Sequence, residues 1–185
     1  IIHKYAAGIL VIGTVAHLIN VWKLREQRPI SMIIIGIIMA LAVLATLLSH
    51  IFTKKLGKKW IIIHRIAATV VLIGLIFHVA LGVTSLNAYK KTIAQLKDEP
   101  KINLSKVSNG IYYGECNAGY VEAYVRVTVK NKKITDVTIL RHRTERGKSA
   151  EVLAGRIVEE QNTNPDAISG ATCSSKVIKE AVYQA

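Results

Sequence analysis

Apolar residues are concentrated in the first half of the chain, in runs long enough to cross a lipid bilayer. The three runs are residues 1–22, 30–52 and 60–86. Each reaches the length of about 20 residues that a transmembrane helix needs. The two tryptophans of the chain, Trp22 and Trp60, stand at ends of these runs, where aromatic side chains collect at the membrane interface. The pattern predicts an all-α, three-helix membrane domain over residues 1–88.

From residue 89 onward the pattern of apolar positions becomes that of a small folded domain. Apolar and polar residues alternate over 121–129, which is the period of a half-buried strand. The predicted elements are a strand over 110–120, this strand, a turn at 131–133, a returning strand over 134–140 and helices over 149–161 and 174–183. We therefore predict a linker over 89–106 and a small α+β domain over 107–185.

One sequence pattern occurs twice in the membrane half of the chain. Residues 3–17 and 64–78 are identical at six of fifteen positions, at a constant offset of 61 residues. Five of the identities fall on histidine, alanine or glycine, and each copy begins and ends with a histidine. A histidine inside an apolar helix is costly and usually functional. Because the first pair belongs to this repeat, the first run is not expected to be a cleaved signal peptide.

The spacing within each copy places its two histidines on one helix face. Fourteen residues correspond to about 3.9 turns and about 21 Å of rise, so the two histidines lie at opposite ends of one membrane span. If the first and third helices run parallel, His3 meets His64 and His17 meets His78. Each pair can bind one iron through two imidazoles, and the arrangement predicts two haem b groups stacked across the bilayer.

Small residues accompany these histidines. Gly13 and Gly74 each precede the second histidine of a copy by four residues, where the missing side chain leaves room for a porphyrin ring. Small residues and histidines also mediate packing between helices that bind no cofactor, and this alternative stays open. A zinc or copper site is less favoured, because cysteine and acidic ligands are absent nearby. In its histidine spacing this half resembles the dihaem b-type cytochromes.

The charges of the loops predict the orientation in the membrane. The loop between the second and third runs holds four lysines and no acid, whereas the first loop holds three cations and one acid. The more basic loop is expected in the cytoplasm, which puts the N-terminus inside and residues 107–185 outside. In this orientation His3 and His64 lie near the cytoplasm. Lys4 and Arg65, which follow them, either neutralise haem propionates or snorkel at the membrane edge. His50 is an alternative inner ligand, a quinone-site residue or an interfacial side chain.

A segment of small residues lies between the last two predicted helices. It reads Asp166-Ala167-Ile168-Ser169-Gly170-Ala171-Thr172, followed by Cys173-Ser174-Ser175. Small residues permit a ligand to approach the backbone closely, and the first turn of the following helix offers N–H groups to an anion such as phosphate. The alternative is that Thr172 or Ser174 only caps this helix.

This segment resembles the Asp-x-x-Ser/Thr-Gly-Ala-Thr/Ser motif of the covalent FMN-binding domain family, which occurs in the sodium-pumping NADH:quinone reductase and in Rnf-type complexes. The resemblance covers about residues 107–185. It implies that a dedicated flavin transferase attaches FMN to Thr172 as a phosphoester. Four further motif residues would contribute to recognition or to the phosphate environment: Asp166, Ser169, Gly170 and Ala171.

Other polar residues carry weaker signals. Gly147 and Lys148, in the loop after the strands, are candidates for contact with the flavin ring, and His142, between two arginines, is expected to be solvated. Cys116 and Cys173 form a disulfide only if the fold brings them together. The net charge of +13 does not indicate a nucleic-acid partner, since residues 91–185 hold 15 basic and 11 acidic residues without clustering.

Together these patterns predict a flavocytochrome in the cell membrane of a prokaryote. It would pass electrons between an inner donor, two b haems and FMN outside the membrane, with a quinol or a redox protein as donor and an unidentified acceptor. Such a chain is an electron-transfer protein or a subunit of an oxidoreductase, and no catalytic side chain is predicted. The alternatives are a haem-free, membrane-anchored flavoprotein subunit of a larger respiratory complex and a histidine-based metal or proton transporter.

Overall fold

The computed structural model describes residues 2–96, 102–144 and 146–185. The chain divides into two compact units, Ile1–Ser85 and Leu86–Ala185. Long apolar helices come first, and a small unit with a three-stranded sheet and helices follows. This order of elements confirms the predicted fold class.

The first unit is built from helices that follow the three apolar runs. Its elements are α1 (Ile2–Lys23), α2 (Ile30–Ile51), the short α3 (Thr53–Leu56) and most of α4 (Lys59–Gln95). Within the described ranges, α1, α2 and α4 are the helices long and apolar enough to cross a membrane. Apart from the end of α4, these helices begin and end within one residue of the predicted runs. Ile1 lies outside the described residues.

Packing among these long helices is loose. None of the described residues of α1 is buried, while α2 buries Ala42, Val43 and Ser49, and α4 buries Ala67. All four side chains are small, which is typical of contacts between membrane helices because small residues let backbones approach. Most other side chains of these helices are exposed and apolar, so lipid tails or a bound group must cover them.

Helix α4 continues for nine residues past the predicted end of the third run, to Gln95. Its last turns belong to the second unit, where Tyr89, Ile93 and the residue after the helix, Leu96, pack against the core. Lys176 Nζ donates a hydrogen bond of 3.2 Å to the carbonyl oxygen of Leu96. Residues 89–95 of the predicted linker are therefore helical, and residues 97–101 lie outside the described part of the chain.

The sheet of the second unit is antiparallel, in the order β1 (Gly110–Asn117), β2 (Glu122–Lys130) and β3 (Lys133–Arg143). The predicted alternation along β2 is confirmed, because its apolar positions are buried: Ala123, Val125, Val127 and Val129. A two-residue turn joins β2 to β3. Asn131 and Lys132 have φ values of 52° and 62°, as the tightest hairpin turns require.

The helices of the second unit cover one face of this sheet. A 3-10 helix (Lys148–Val152) leads into α5 (Leu153–Glu160), and α6 (Thr172–Gln184) follows the small-residue segment. Apolar side chains of both helices join those of the strands in one core. Gly114 of β1 makes the closest approach, since a Cβ there would overlap the carbonyl oxygen of Ala181 in α6.

Candidate functional site

The structure brings together both histidine pairs expected from the repeat. The ring centroids of His3 and His64 are 6.0 Å apart, and those of His17 and His78 are 6.1 Å apart. The rings of each pair are close to perpendicular, at 75° and 81°. Since each pair joins corresponding positions of α1 and α4, these two helices run parallel. The predicted pairing of His3 with His64 and of His17 with His78 requires this direction.

These separations suit two imidazoles that share one metal ion. With metal–nitrogen bonds of about 2 Å on opposite sides of the ion, the ring centroids lie about 6 Å apart. In the described part of the chain, no three His, Cys, Asp or Glu side chains gather where they could hold a metal ion. Each pair therefore offers two imidazoles, which is the donor set of a haem iron with both axial positions occupied.

A cavity of about 590 Å³ lies beside His17 and His78. Its volume is within the range of about 300–1,000 Å³ typical of cofactor sites. Its wall is mainly apolar, and its ionisable members are His17, Arg25 and His78. The other lining residues are Ile9, Leu10, Gly13, Thr14, Leu18, Val21, Trp22, Met32, Ile33, Gly36, Ile37, Met39, Ala40, Val43, Val71 and Leu75. A largely apolar ring that carries an iron atom at its centre would match this space.

The glycines of the two repeat copies have different surroundings. Gly13 lines the cavity, and a Cβ there would meet no atom within 4 Å. A Cβ on Gly74 would instead lie 2.7 Å from Cγ of Met39. The expectation that Gly74 leaves room for a porphyrin is therefore corrected, because a methionine of α2 fills that space. Gly74 allows close packing of α4 against α2. For Gly13, space for a porphyrin ring stays a prediction.

The histidines of α4 differ in their hydrogen-bond partners. His64 Nδ1 lies 3.5 Å from both the Thr46 carbonyl oxygen and the hydroxyl of Ser49, at the outer limit of a hydrogen bond. A backbone carbonyl beside one ring nitrogen is the usual arrangement that orients a metal-binding histidine. In contrast, Nδ1 of His78 is buried and has no hydrogen-bond partner among the described residues. Its ring retains hydrogen-bonding capacity for a bound group or water.

His50 lies near the end of α2 and is exposed. Its ring centroid is 6.5 Å from that of Trp60, and Trp60 is in turn 6.3 Å from His64. His3, rather than His50, makes the ring contact with His64 at 6.0 Å. This placement favours His3 as the inner partner and puts His50 at the periphery of the pair.

The small-residue segment at 166–172 forms a turn and the first residue of α6. Gly170 has a φ of 76°, a conformation that glycine adopts without strain. The Ala171 N–H donates a hydrogen bond of 2.9 Å to the carbonyl oxygen of Ile168, and Ala171 itself is buried. Asp166 and Ser169 are exposed. The turn is thus anchored by Ala171 and presents its polar side chains at the surface.

The hydroxyl groups around the start of α6 differ in accessibility. Thr172 is exposed, whereas Ser174 and Ser175 are buried. The hydroxyl of Ser175 accepts a hydrogen bond from the Ile168 N–H and donates one to the Ala171 carbonyl, each at 3.0 Å. Of the three hydroxyl-bearing residues in the first turn of α6, Thr172 is the exposed one.

The alternative that Thr172 or Ser174 caps α6 is wrong. The residue at the cap position is Ala171, and no side chain there accepts a hydrogen bond from the helix. The first N–H groups of a helix have no partner inside the helix and carry its positive dipole end. Without a side-chain cap they remain suited to an anion at Thr172.

A loop from a distant part of the chain is tied to this helix start. Thr144 Oγ1 lies 3.0 Å from Ser174 Oγ and accepts a hydrogen bond of 2.9 Å from the Gly147 N–H. A Cβ on Gly147 would overlap the Ser174 hydroxyl. Gly147 therefore allows close packing, while Lys148 is exposed. Sequence reasoning missed the roles of Thr144 and Ser174, because 30 residues separate them and neither carries a pattern of its own.

His142 is not solvated as expected. Its side chain is 2% exposed, and Nδ1 lies 3.0 Å from a carboxylate oxygen of Glu151. The physical reason is the alternation along β3. Residue 142 pairs with the buried Ala123 on β2, so its side chain points to the covered face of the sheet.

The two cysteines are free thiols. Cys116 is buried in the core of the second unit. Burial raises the pKa of its thiol to about 11, and the Glu180 carboxylate adds to the rise. Cys173 is only partly buried, beside Thr172 at the start of α6.

Comparison with known proteins finds a family similar to part of the second unit. Residues 119–185 match the family model of the FMN-binding domain. No curated protein matches the chain, and no solved structure matches it. The match covers β2, β3, α5, α6 and the segment at 166–172. It supports an FMN-binding domain in this part of the chain, and hence a flavoprotein with three apolar helices compatible with a membrane location.

Proposed function

We propose that this protein is a transmembrane electron-transfer flavocytochrome. His3 and His64 hold one haem b, His17 and His78 hold a second, and FMN is joined through its phosphate to the Thr172 hydroxyl. Haem exchanges single electrons and FMN exchanges one or two. The protein contributes the positions of these groups and their environments.

The observation that carries the haem assignment is the pairing of four histidines. The histidines are 14 residues apart along each of α1 and α4, and across the two helices the ring centroids of His3 and His64 are 6.0 Å apart and those of His17 and His78 are 6.1 Å apart. Helix packing alone does not require this coincidence twice. The cavity beside His17 and His78 adds room for an apolar macrocycle, and Gly13 leaves its wall open.

The flavin assignment is supported by accessibility together with the family match. The Thr172 hydroxyl is exposed at the uncapped start of α6, where first-turn N–H groups can bind phosphate oxygens. Gly170 and Ala171 shape the turn that precedes it. Asp166 and Ser169, both exposed on the same segment, are placed for recognition by a flavin transferase.

Loop charge supports an orientation for the proposed conduit. Residues 52–59, between α2 and α4, contain four lysines and no acid, so this loop is assigned to the cytoplasm of a prokaryotic cell. The N-terminus then lies inside and the FMN-binding domain outside. A quinol or a redox protein supplies electrons at the inner pair, and an extracytoplasmic acceptor receives them from FMN.

Spectroscopy of the full-length protein, produced together with a flavin transferase and purified in detergent, tests this proposal. We expect a dithionite-reduced spectrum of the b-haem type, two haems per chain by pyridine haemochrome assay, and an intact mass that includes one FMN. Flavin absorption without haem would contradict the conduit.

The same measurement addresses a second candidate, a haem-free membrane-anchored flavoprotein within a larger respiratory complex. The observation in its favour is that no described residue of α1 is buried, which helices of partner subunits would also explain. In that case the purified chain would carry FMN alone, and partner subunits would co-purify in mild detergent.

A further inference from the structure

Among the described residues that line the cavity beside His17 and His78, Arg25 is the one permanent cation, and none is an acid. It belongs to the short 3-10 helix Arg25–Gln27, just beyond the end of α1. The rest of the wall is mainly apolar. A cavity with an apolar body and a cation at one end suits a ligand with an apolar body and an anionic end.

Arg25 is held in place by Trp22, which lines the same cavity. Its guanidinium carbon lies 5.2 Å from the centre of the Trp22 ring, and Nη1 donates a hydrogen bond of 3.1 Å to the Trp22 carbonyl. A contact of 3.5 Å joins Nη2 to Glu26, whose side chain is 73% exposed. A guanidinium has five N–H donors in a fixed plane, so donors remain for a carboxylate of a ligand.

We propose that Arg25 binds a propionate group of the haem held by His17 and His78 and thereby fixes which way the porphyrin faces. This inference rests on the proposed function. The two propionates are the anionic groups of haem b, and arginine pairs with carboxylates through two parallel hydrogen bonds. Six residues, or about 9 Å of helical rise, separate His17 from Lys23 at the end of α1, and Arg25 lies two residues further along the chain. An arginine side chain and a propionate arm can together span that distance. The propionates then point toward the loop between α1 and α2.

Titration with haem and with haem dimethyl ester tests the proposal, because the ester keeps the porphyrin and iron but lacks the two negative charges. Full-length protein is produced without haem in a His64→Ala background, so that only the pair of His17 and His78 can bind haem. Arg25→Gln is compared with Arg28→Gln, which removes a cation from the same loop that does not line the cavity. We expect Arg25→Gln to weaken haem binding by about tenfold, equivalent to about 1.4 kcal/mol, and to leave ester binding unchanged. Arg28→Gln should change neither affinity.

The comparison separates a carboxylate contact from a structural role. An equal loss of affinity for haem and for its ester would show that Arg25 acts through Trp22 and the end of α1, which overturns the proposal. Equal haem affinities of the Arg25→Gln variant and the parent would also overturn it, while leaving the haem assignment intact. Absence of haem binding by the parent protein would overturn the proposed function as well as this inference.

Discussion

The two units of this protein fill their interiors in different ways. Among the described residues of the second unit, 17 buried side chains from the strands, the helices and their connections form one continuous core. The long helices of the first unit bury four side chains, in α2 and α4, and line a partly open cavity of about 590 Å³. Side-chain packing therefore specifies the second unit, whereas the first has space that another group must fill.

This difference has a physical origin. In water, burial of apolar surface drives a core together, but lipid tails are as apolar as leucine and provide no such drive between membrane helices. Polar ligands and close contacts must then fix the arrangement of the helices. The two histidine pairs are the polar groups that join α1 to α4. If a haem iron links each pair, the cofactor contributes the packing that the side chains do not.

The sharpest way to break this comparison is to remove one histidine of the pair formed by His17 and His78. His17→Ala and His78→Ala should each abolish the same haem, because one imidazole cannot complete the axial ligation, and the double variant should lose no more. Haem per chain is measured by pyridine haemochrome assay. His50→Ala, which changes a histidine outside both pairs, should retain both haems. If the two single variants lost different haems and the double variant lost both, the pairing would be refuted.

Removal of the flavin should leave the first unit unchanged. Thr172→Ala should abolish covalent FMN, detected by fluorescence of the denatured protein and by intact mass, while haem content stays at the parent level. Thr172→Ser preserves a hydroxyl at the same place and should retain FMN. The matched control is Ser108→Ala, which removes the hydroxyl of an exposed serine outside this segment and should also retain FMN. An FMN adduct on the Thr172→Ala protein would place the attachment elsewhere.

The sequence predicted those features that depend on local periodicity. Apolar runs gave the long helices, and strict alternation gave β2 and its turn, because both patterns follow from the geometry of one element. The extension of α4 was missed because Tyr89, Ile93 and Leu96 stand among polar residues that resemble a linker. Their spacing of four and three residues was the available signal of a helix face.

Features that depend on two distant segments could not be predicted. The surroundings of Gly74 depend on the register between α2 and α4, which determines that Met39 covers it. The tie between Thr144 and Ser174 depends on how β3 meets α6. For His142, the flanking arginines suggested a solvated site. The alternation of β3 instead places the side chain of residue 142 on the covered face of the sheet and those of the two arginines on the other face. The four paired histidines were predictable because a repeat carried the information twice.

A smaller effect tests the close packing of the second unit. Gly147→Ala should lower the free energy of unfolding of the second unit by about 1–3 kcal/mol, because the new methyl group overlaps the Ser174 hydroxyl. The φ of Gly147 is −90°, so backbone strain does not contribute. Gly155→Ala is the matched control, since a Cβ at that helical position meets no atom within 4 Å. It should stabilise the unit by about 0.5–1 kcal/mol.

Urea unfolding of full-length protein in detergent, followed by flavin fluorescence, measures both changes. The double variant with Gly147→Ala and Ser174→Ala should recover only a small part of the loss, because it removes the overlapping hydroxyl but keeps the Cβ of residue 174, 2.6 Å from the new methyl group. Equal stabilities of the Gly147→Ala and Gly155→Ala proteins would show that the tie between the loop and α6 is loose, and the contrast in packing between the units would weaken.

The smallest expected effect concerns proton binding inside the packed core. The pKa of the Cys116 thiol rises from 9.0 to about 11 on folding, because burial disfavours the thiolate. The folded state therefore keeps a proton that the unfolded state loses, and the free energy of unfolding should fall as pH rises from about 9 to about 11. Cys116→Ala should remove this part of the pH dependence, whereas Cys173→Ala should retain it. The measurement is urea unfolding at pH values across this range, compared between variants so that titration of lysines and tyrosines cancels. Identical pH dependence in the Cys116→Ala protein and the parent would show that water reaches the thiol, and that the core of the second unit is less tightly closed than its packing indicates.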